Sequence, residues 1–147
     1  MHNASKLVVA MAIGLCGCGL SGKKAAEHIQ KELTDKGLEL DTVVCPEGKK
    51  DKDGEAFECE GFTKDSQKFV VDVKAKGGGN ITWELRGRIV TPKELEEKLQ
   101  KQSGQEFDCG EASRVAVEDT KIECKGGEQK VAILFTDNEG AFKVEEL

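Results

Sequence analysis

Leu40-Asp41-Thr42-Val43-Val44-Cys45 and Ala56-Phe57-Glu58-Cys59-Glu60-Gly61-Phe62 are the two runs whose reading decides the fold. Both alternate apolar and polar residues, the period of a strand with one buried face. Phe57 and Cys59 share that face. The residues between them, Gly48 to Gly54, are charged and punctuated by glycine, which reads as a solvated turn rather than a third element. Two antiparallel strands carrying one cysteine each are therefore expected, with Cys45 and Cys59 close enough to bond.

Working outward, residues 24–39 precede this pair as an amphipathic helix. Ala25, Ala26, Ile29 and Leu33 share a face, and Gly37 stands where a C-terminal cap belongs. Two further strands follow at 68–73 and 80–85, separated by Gly77-Gly78-Gly79-Asn80, a hairpin signal. The order then repeats. Thr91-Pro92-Lys93-Glu94 is a capping box with proline at the first helical position, and Val90 and Leu95 can form a hydrophobic staple. Leu95 and Leu99 carry the apolar face to about Ser103-Gly104. Strands are expected at 106–109, 120–124, 130–135 and 141–145, the last two joined through Asp137-Asn138-Glu139-Gly140.

Cysteine spacing supports the repeat: Cys45 and Cys59 are 14 apart, Cys109 and Cys124 are 15 apart, and each pair follows a helix and precedes a hairpin. The pairings expected are Cys45–Cys59 and Cys109–Cys124, because each pair falls on strands expected to be neighbours. A zinc site is disfavoured, since no C-x-x-C pair is present. The fold expected is α+β: two tandem units, at 24–88 and 91–147, each one helix on a four-stranded antiparallel sheet with one disulfide. A unit of about 60 residues has a thin core, and closing a loop of ~15 residues contributes ~3 kcal/mol to it.

The first unit joins Val44-Cys45-Pro46, Gly54-Glu55-Ala56-Phe57-Glu58-Cys59 and a tail ending Ile81-Thr82-Trp83. In this it resembles the domain-of-unknown-function family forty-three thirty-three, small exported domains with a C-P…G-x-x-F-x-C signature, commonly behind a lipobox. The resemblance covers about residues 24–86 and implies no known activity. In the second unit Gly110 replaces the proline, and Lys121-Ile122-Glu123-Cys124 lacks the glycine and the phenylalanine, which reads as a diverged copy.

The N-terminus fits that picture. Met1 to Lys6 carries one positive charge, and Leu7 to Leu15 is an unbroken apolar or small run, far short of the ~20 residues of a spanning helix. Leu15-Cys16-Gly17-Cys18 resembles the lipobox of bacterial lipoproteins. In that resemblance residues 1–17 are a signal peptide, Cys18 carries diacylglyceryl and palmitate, and 18–23 is a lipidated N-terminus with a short spacer. Cys16 fits worse, because Leu15 would stand at −1. The expected location is the bacterial cell envelope, on the periplasmic or extracellular face.

Loss of Lys6 leaves 21 basic residues against 28 acidic, a net charge of −7. Such a balance argues against nucleic acid, whose phosphates demand clustered cations. It argues equally against an electrostatic membrane patch, leaving membrane attachment to the lipid. His28, on the polar side of the first helix, is expected to be solvent-exposed. The serines lie in no nucleophile motif. Asp51-Lys52-Asp53-Gly54-Glu55 lacks the ligand spacing of a calcium loop and reads as a turn. Trp83 shares a strand face with Ile81 and Leu85 and is expected in the core. No catalytic set, metal or cofactor is expected. The function expected is a non-catalytic binding module for another envelope protein or a cell-wall component. The alternative is an inhibitor or regulator of an envelope enzyme in the manner of cystatin-like domains.

Overall fold

In a computed structural model of the protein, the structure describes residues 11–12 and 20–147. Cys16, Cys18 and the rest of residues 1–19, apart from Met11 and Ala12, lie outside the described residues. Two compact units emerge, one formed by residues up to Lys36 with Leu40–Arg86, the other by Gly87–Leu147 with Gly37–Glu39.

The first unit holds helix α1 (Gly22–Asp35) and strands β2 (Leu40–Val44), β3 (Ala56–Thr63), β4 (Lys68–Gly77) and β5 (Asn80–Arg86). All neighbours pair antiparallel in the order β5-β4-β3-β2, and Met11–Ala12 (β1) pairs with the outer edge of β5. α1 starts at Gly22 because Ser21 caps it, its Oγ accepting from Lys24 N at 3.3 Å. It ends at Asp35, with Lys36 as its C-cap before Gly37, whose φ of +95° a helix cannot continue. Ala25, Ala26, Ile29 and Leu33 are buried, as their spacing requires. Alternation holds along β3 and β4: Phe57, Cys59, Gly61, Phe69, Val71, Val73 and Ala75 point inward, and charged residues point out. Trp83 and Ile81 complete the inner face from β5. Gly77, Gly78 and Gly79 all take positive φ and make the β4–β5 turn.

The second unit holds β6 (Arg88–Val90), α2 (Pro92–Ser103), β7 (Arg114–Ala116), β8 (Lys121–Gly126), β9 (Gln129–Phe135) and β10 (Phe142–Glu146). Half of the capping box forms: Thr91 Oγ1 accepts from Glu94 N at 3.2 Å, while the Glu94 carboxylate pairs with Arg88 at 2.7 Å, and Gly104 closes the helix with φ +72°. Leu95 and Leu99 pack in one core with Val90, Phe107, Ile122, Val131, Ile133 and Phe135.

Here the sheet departs from the sequence expectation. It has three strands, β10-β9-β8, not four. The strand expected at 106–109 is reduced to a single bridge, Asp108 with Lys125. Glu106 and Asp108 have low strand propensity and Gly110 turns the chain with φ +89°, so nothing extends the pairing. Conversely, Arg88–Val90 and Arg114–Ala116, where no strand was expected, pair as a two-stranded ribbon. Both disulfides are present, Cys45–Cys59 with Cα atoms 4.4 Å apart and Cys109–Cys124 at 4.3 Å.

Candidate interaction surface

Two features of the first unit carry its surface chemistry. The first is the outer face of the sheet. Register places Glu58, Asp72 and Glu84 side by side across β3, β4 and β5. Three like charges in one row repel. Arg86 offsets two of them: its Nε and Nη2 donate to Asp72 at 3.2 and 2.5 Å, and Nη2 also donates to Glu58 at 2.6 Å. Hydrogen bonds to Asp72, then Glu58, hold the guanidinium above its ordinary pKa, so it stays charged throughout the accessible range. Lys68 pairs with Glu60 at 2.9 Å one row on. The depression over this face has a volume of about 590 Å³ and is open, floored by the Ala56–Lys74–Thr82 and Glu58–Asp72–Glu84 rows. It is a polar, ion-paired plate rather than an enclosed cleft.

The second is the loop between the bonded cysteines. The Glu47 carboxylate accepts from Gly22 N at 3.1 Å and Lys23 N at 2.9 Å, satisfying two of the four N–H groups that open α1. A side chain at 22 would clash with the backbone: its Cβ would lie 2.6 Å from the Pro46 carbonyl oxygen. Leu20 N donates to the Lys49 carbonyl at 3.0 Å, and the Leu20 side chain is buried. Asp51 accepts from Gly79 N at 2.7 Å and ties the loop to the β4–β5 turn. Residues 20–23, expected as part of a spacer, are thus part of the fold.

The remaining residues singled out from sequence fall as follows. Cys45, Cys59, Cys109 and Cys124 are all buried in disulfides. His28 is not exposed: its side chain is 12% accessible, with Nε2 3.1 Å from Glu32 on the same helix. The polar face on which His28 was placed is a property of the isolated helix, and burial depends on what surrounds it. Trp83 is buried, with Lys36 Nζ 5.9 Å from its ring centroid. Among the described residues, no three His, Cys, Asp or Glu side chains are grouped to hold a metal ion, and no helix is long and apolar enough to cross a membrane. Glu47 and the Arg86 strap were not found by sequence reasoning, because they act on residues 14 to 28 positions away.

Residues 7–78 match the family model described as Domain of unknown function (DUF4333). The chain carries a DUF4333 domain. The match takes in the apolar run before Cys18 as well as α1, β2, β3 and β4. No curated protein and no solved structure matches the chain. In the DUF4333 domain the residues that carried the resemblance have physical roles. Cys45 and Cys59 close the loop, Pro46 abuts the start of α1, Gly54 turns with φ +91°, and Phe57 fills the inner face.

Proposed function

We propose that this protein is an exported, lipid-anchored, non-catalytic binding module of the bacterial cell envelope, with Cys18 as the acylated residue after removal of residues 1–17. The observation that carries the reading is the open outer face of the first sheet. Its charged side chains are spent on cross-strand ion pairs rather than gathered in a dry cleft, where catalysis would want perturbed groups to converge. A flat, ordered, polar plate suits recognition of another macromolecule, with the polar rim chemistry of transient interfaces. The two disulfides fit an oxidising compartment. The family match running from residue 7 supports treating the apolar run and the domain as one inherited unit.

The second unit reads as a diverged copy of the first. Its sheet runs β8-β9-β10 with the Asp108 bridge beside β8, the order of β2-β3-β4-β5, and its disulfide joins the same two places. A tether raises the effective concentration of both copies against neighbours in the same envelope, so two weak contacts act together.

The test is crosslinking of the full chain in its own envelope, read by mass spectrometry. Crosslinks from Lys68, Lys74 or Lys76 to one dominant envelope protein or cell-wall component, lost with Arg86→Glu, are expected. Turnover on a peptide, glycan or ester panel that one substitution abolishes would sink the reading. Intact mass reports the anchor separately: Cys18→Ala should remove the acyl mass and release the protein from membranes.

A further inference from the structure

Strand β5 is one rim of the main sheet of the first unit, and the chain lays a piece of itself along it. Met11–Ala12 (β1) pairs antiparallel with β5, Met11 opposite Ile81 and Ala12 opposite Asn80. Among the described residues nothing pairs with Thr82 to Arg86 on that side. The two rims of the sheet are built differently. β2, at the other rim, slips register between Leu40 and Thr42, and an irregularity of that kind bends an edge away from further pairing. β5 pairs with β4 without a break from Ile81 to Arg86. It holds no proline and no lysine, and Ile81, Thr82 and Trp83 all favour a strand. Removal of residues 1–17 takes β1 away and opens this rim along all 7 residues of β5.

What fits there can be read from the two faces that the rim continues. Ile81 and Trp83 are buried on the inner face and Leu85 is half-buried, so a strand added beside them extends an apolar surface. Thr82 and Glu84 end the outer rows Ala56–Lys74–Thr82 and Glu58–Asp72–Glu84, which are polar. An added strand must therefore alternate, apolar on one side and polar on the other. At the register position opposite Ile81 the chain's own segment has an apolar residue, Met11.

We propose that the free edge of β5 is a strand-addition site, taking one extended segment of another protein, apolar at alternate residues, in the antiparallel sense that β1 shows. This rests on the reading of the protein as a binding module from which residues 1–17 are removed, and it names the contact. Main-chain hydrogen bonds supply the affinity, and the alternate side chains supply the selectivity.

The experiment uses the purified mature lipoprotein in detergent and a capped peptide that alternates threonine and isoleucine between terminal lysines. Hydrogen exchange is read amide by amide. The peptide should slow exchange several-fold at alternate amides of β5, those that face away from β4, and leave β2 unchanged. Two further peptides carry N-methyl groups on the threonines or on the isoleucines. Successive residues of a strand turn their N–H groups to opposite edges, so one of these isomers should lose the effect and the other keep it. Equal protection by both isomers would mean apolar adhesion without pairing and overturns the proposal. Absence of protection by the unmethylated peptide, or protection of β2 alongside β5, does the same. Protection that rises with protein concentration and needs no peptide would make the occupant a second copy, which also overturns it. An intact mass that retains residues 1–17 would sink the maturation step instead. The amides at Asn80 and Ile81 would then be protected without peptide if the edge pairs as proposed, and unprotected if it does not. Turnover on a substrate panel would sink the binding-module reading and leave the exchange result standing.

Discussion

A Cβ at position 61 would overlap the Phe69 ring, which lies across the strand from it in register. The glycine is there for the aromatic, which covers backbone that a side chain would otherwise shield. Gly61→Ala should destabilise the unit by about 1–3 kcal/mol through overpacking, read as a shift in urea midpoint. Adding Phe69→Leu should make the pair of changes less than additive, because the second removes the ring that the methyl strikes. Strict additivity would mean that the two do not touch. Asp137 makes a different residue-scale case. The N–H groups of Glu139 and then Ala141 donate to its Oδ1 at 2.8 and 3.0 Å and hold its pKa below the ordinary carboxylate value. A folded pKa below the unfolded one contributes stability that is complete above the unfolded value and is lost as pH falls through the folded value. In an NMR titration Asp137 should therefore show a depressed midpoint, with the amides of Glu139 and Ala141 following it. An ordinary midpoint would refute the assignment.

At the scale of elements, the two disulfides close loops of nearly equal length, so chain entropy assigns each about 3 kcal/mol. Their surroundings differ. Cys45 follows a strand that pairs with β3 along most of its length, whereas Cys109 follows a segment held by one bridge and by Phe107, packed against Gly126. Cys45→Ser with Cys59→Ser should leave the amides of β2 protected from exchange, while Cys109→Ser with Cys124→Ser should expose 106–110. Equal loss in both variants would show that the missing strand does not matter. This contrast also marks how far the sequence could be read. α1, α2 and the β2–β5 meander were legible because alternation, caps and turn glycines are local signals. The β6–β7 ribbon was not: Ile89 and Val115 pair across 26 positions, and the three-residue strands are too short to show a period. The segment 106–109 failed in the opposite sense, since one phenylalanine and a cysteine imitate alternation without β-branched support. Beside the candidate surface, the Cys45–Cys59 pair was legible from strand alternation and spacing. The Glu47 cap of α1 was not, because a carboxylate in a turn becomes a helix cap only once the chain brings it to residues 24 and 25 positions away.

The whole molecule divides at Arg86 and Gly87, and the first unit carries its own disulfide, helix and four-stranded sheet. A fragment of 20–86 should fold cooperatively under oxidising conditions, although a core of this size exceeds its conformational entropy only narrowly. Where the fragment starts is decisive. The sequence placed residues 18–23 outside the domain, but Leu20 is 6% exposed and Ser21 caps α1. Beginning at residue 23 forfeits a buried leucine and a helix cap, together about 3 kcal/mol, which is a large fraction of what so small a unit holds. Thermal melts of 20–86 and 23–86 should therefore differ sharply, the shorter one broad or already unfolded at room temperature. Indistinguishable melts would detach residues 20–22 from the fold. They would also show that the Leu20–Lys49 bond and the Ser21 cap do not fix the start of α1 against the loop that follows Cys45.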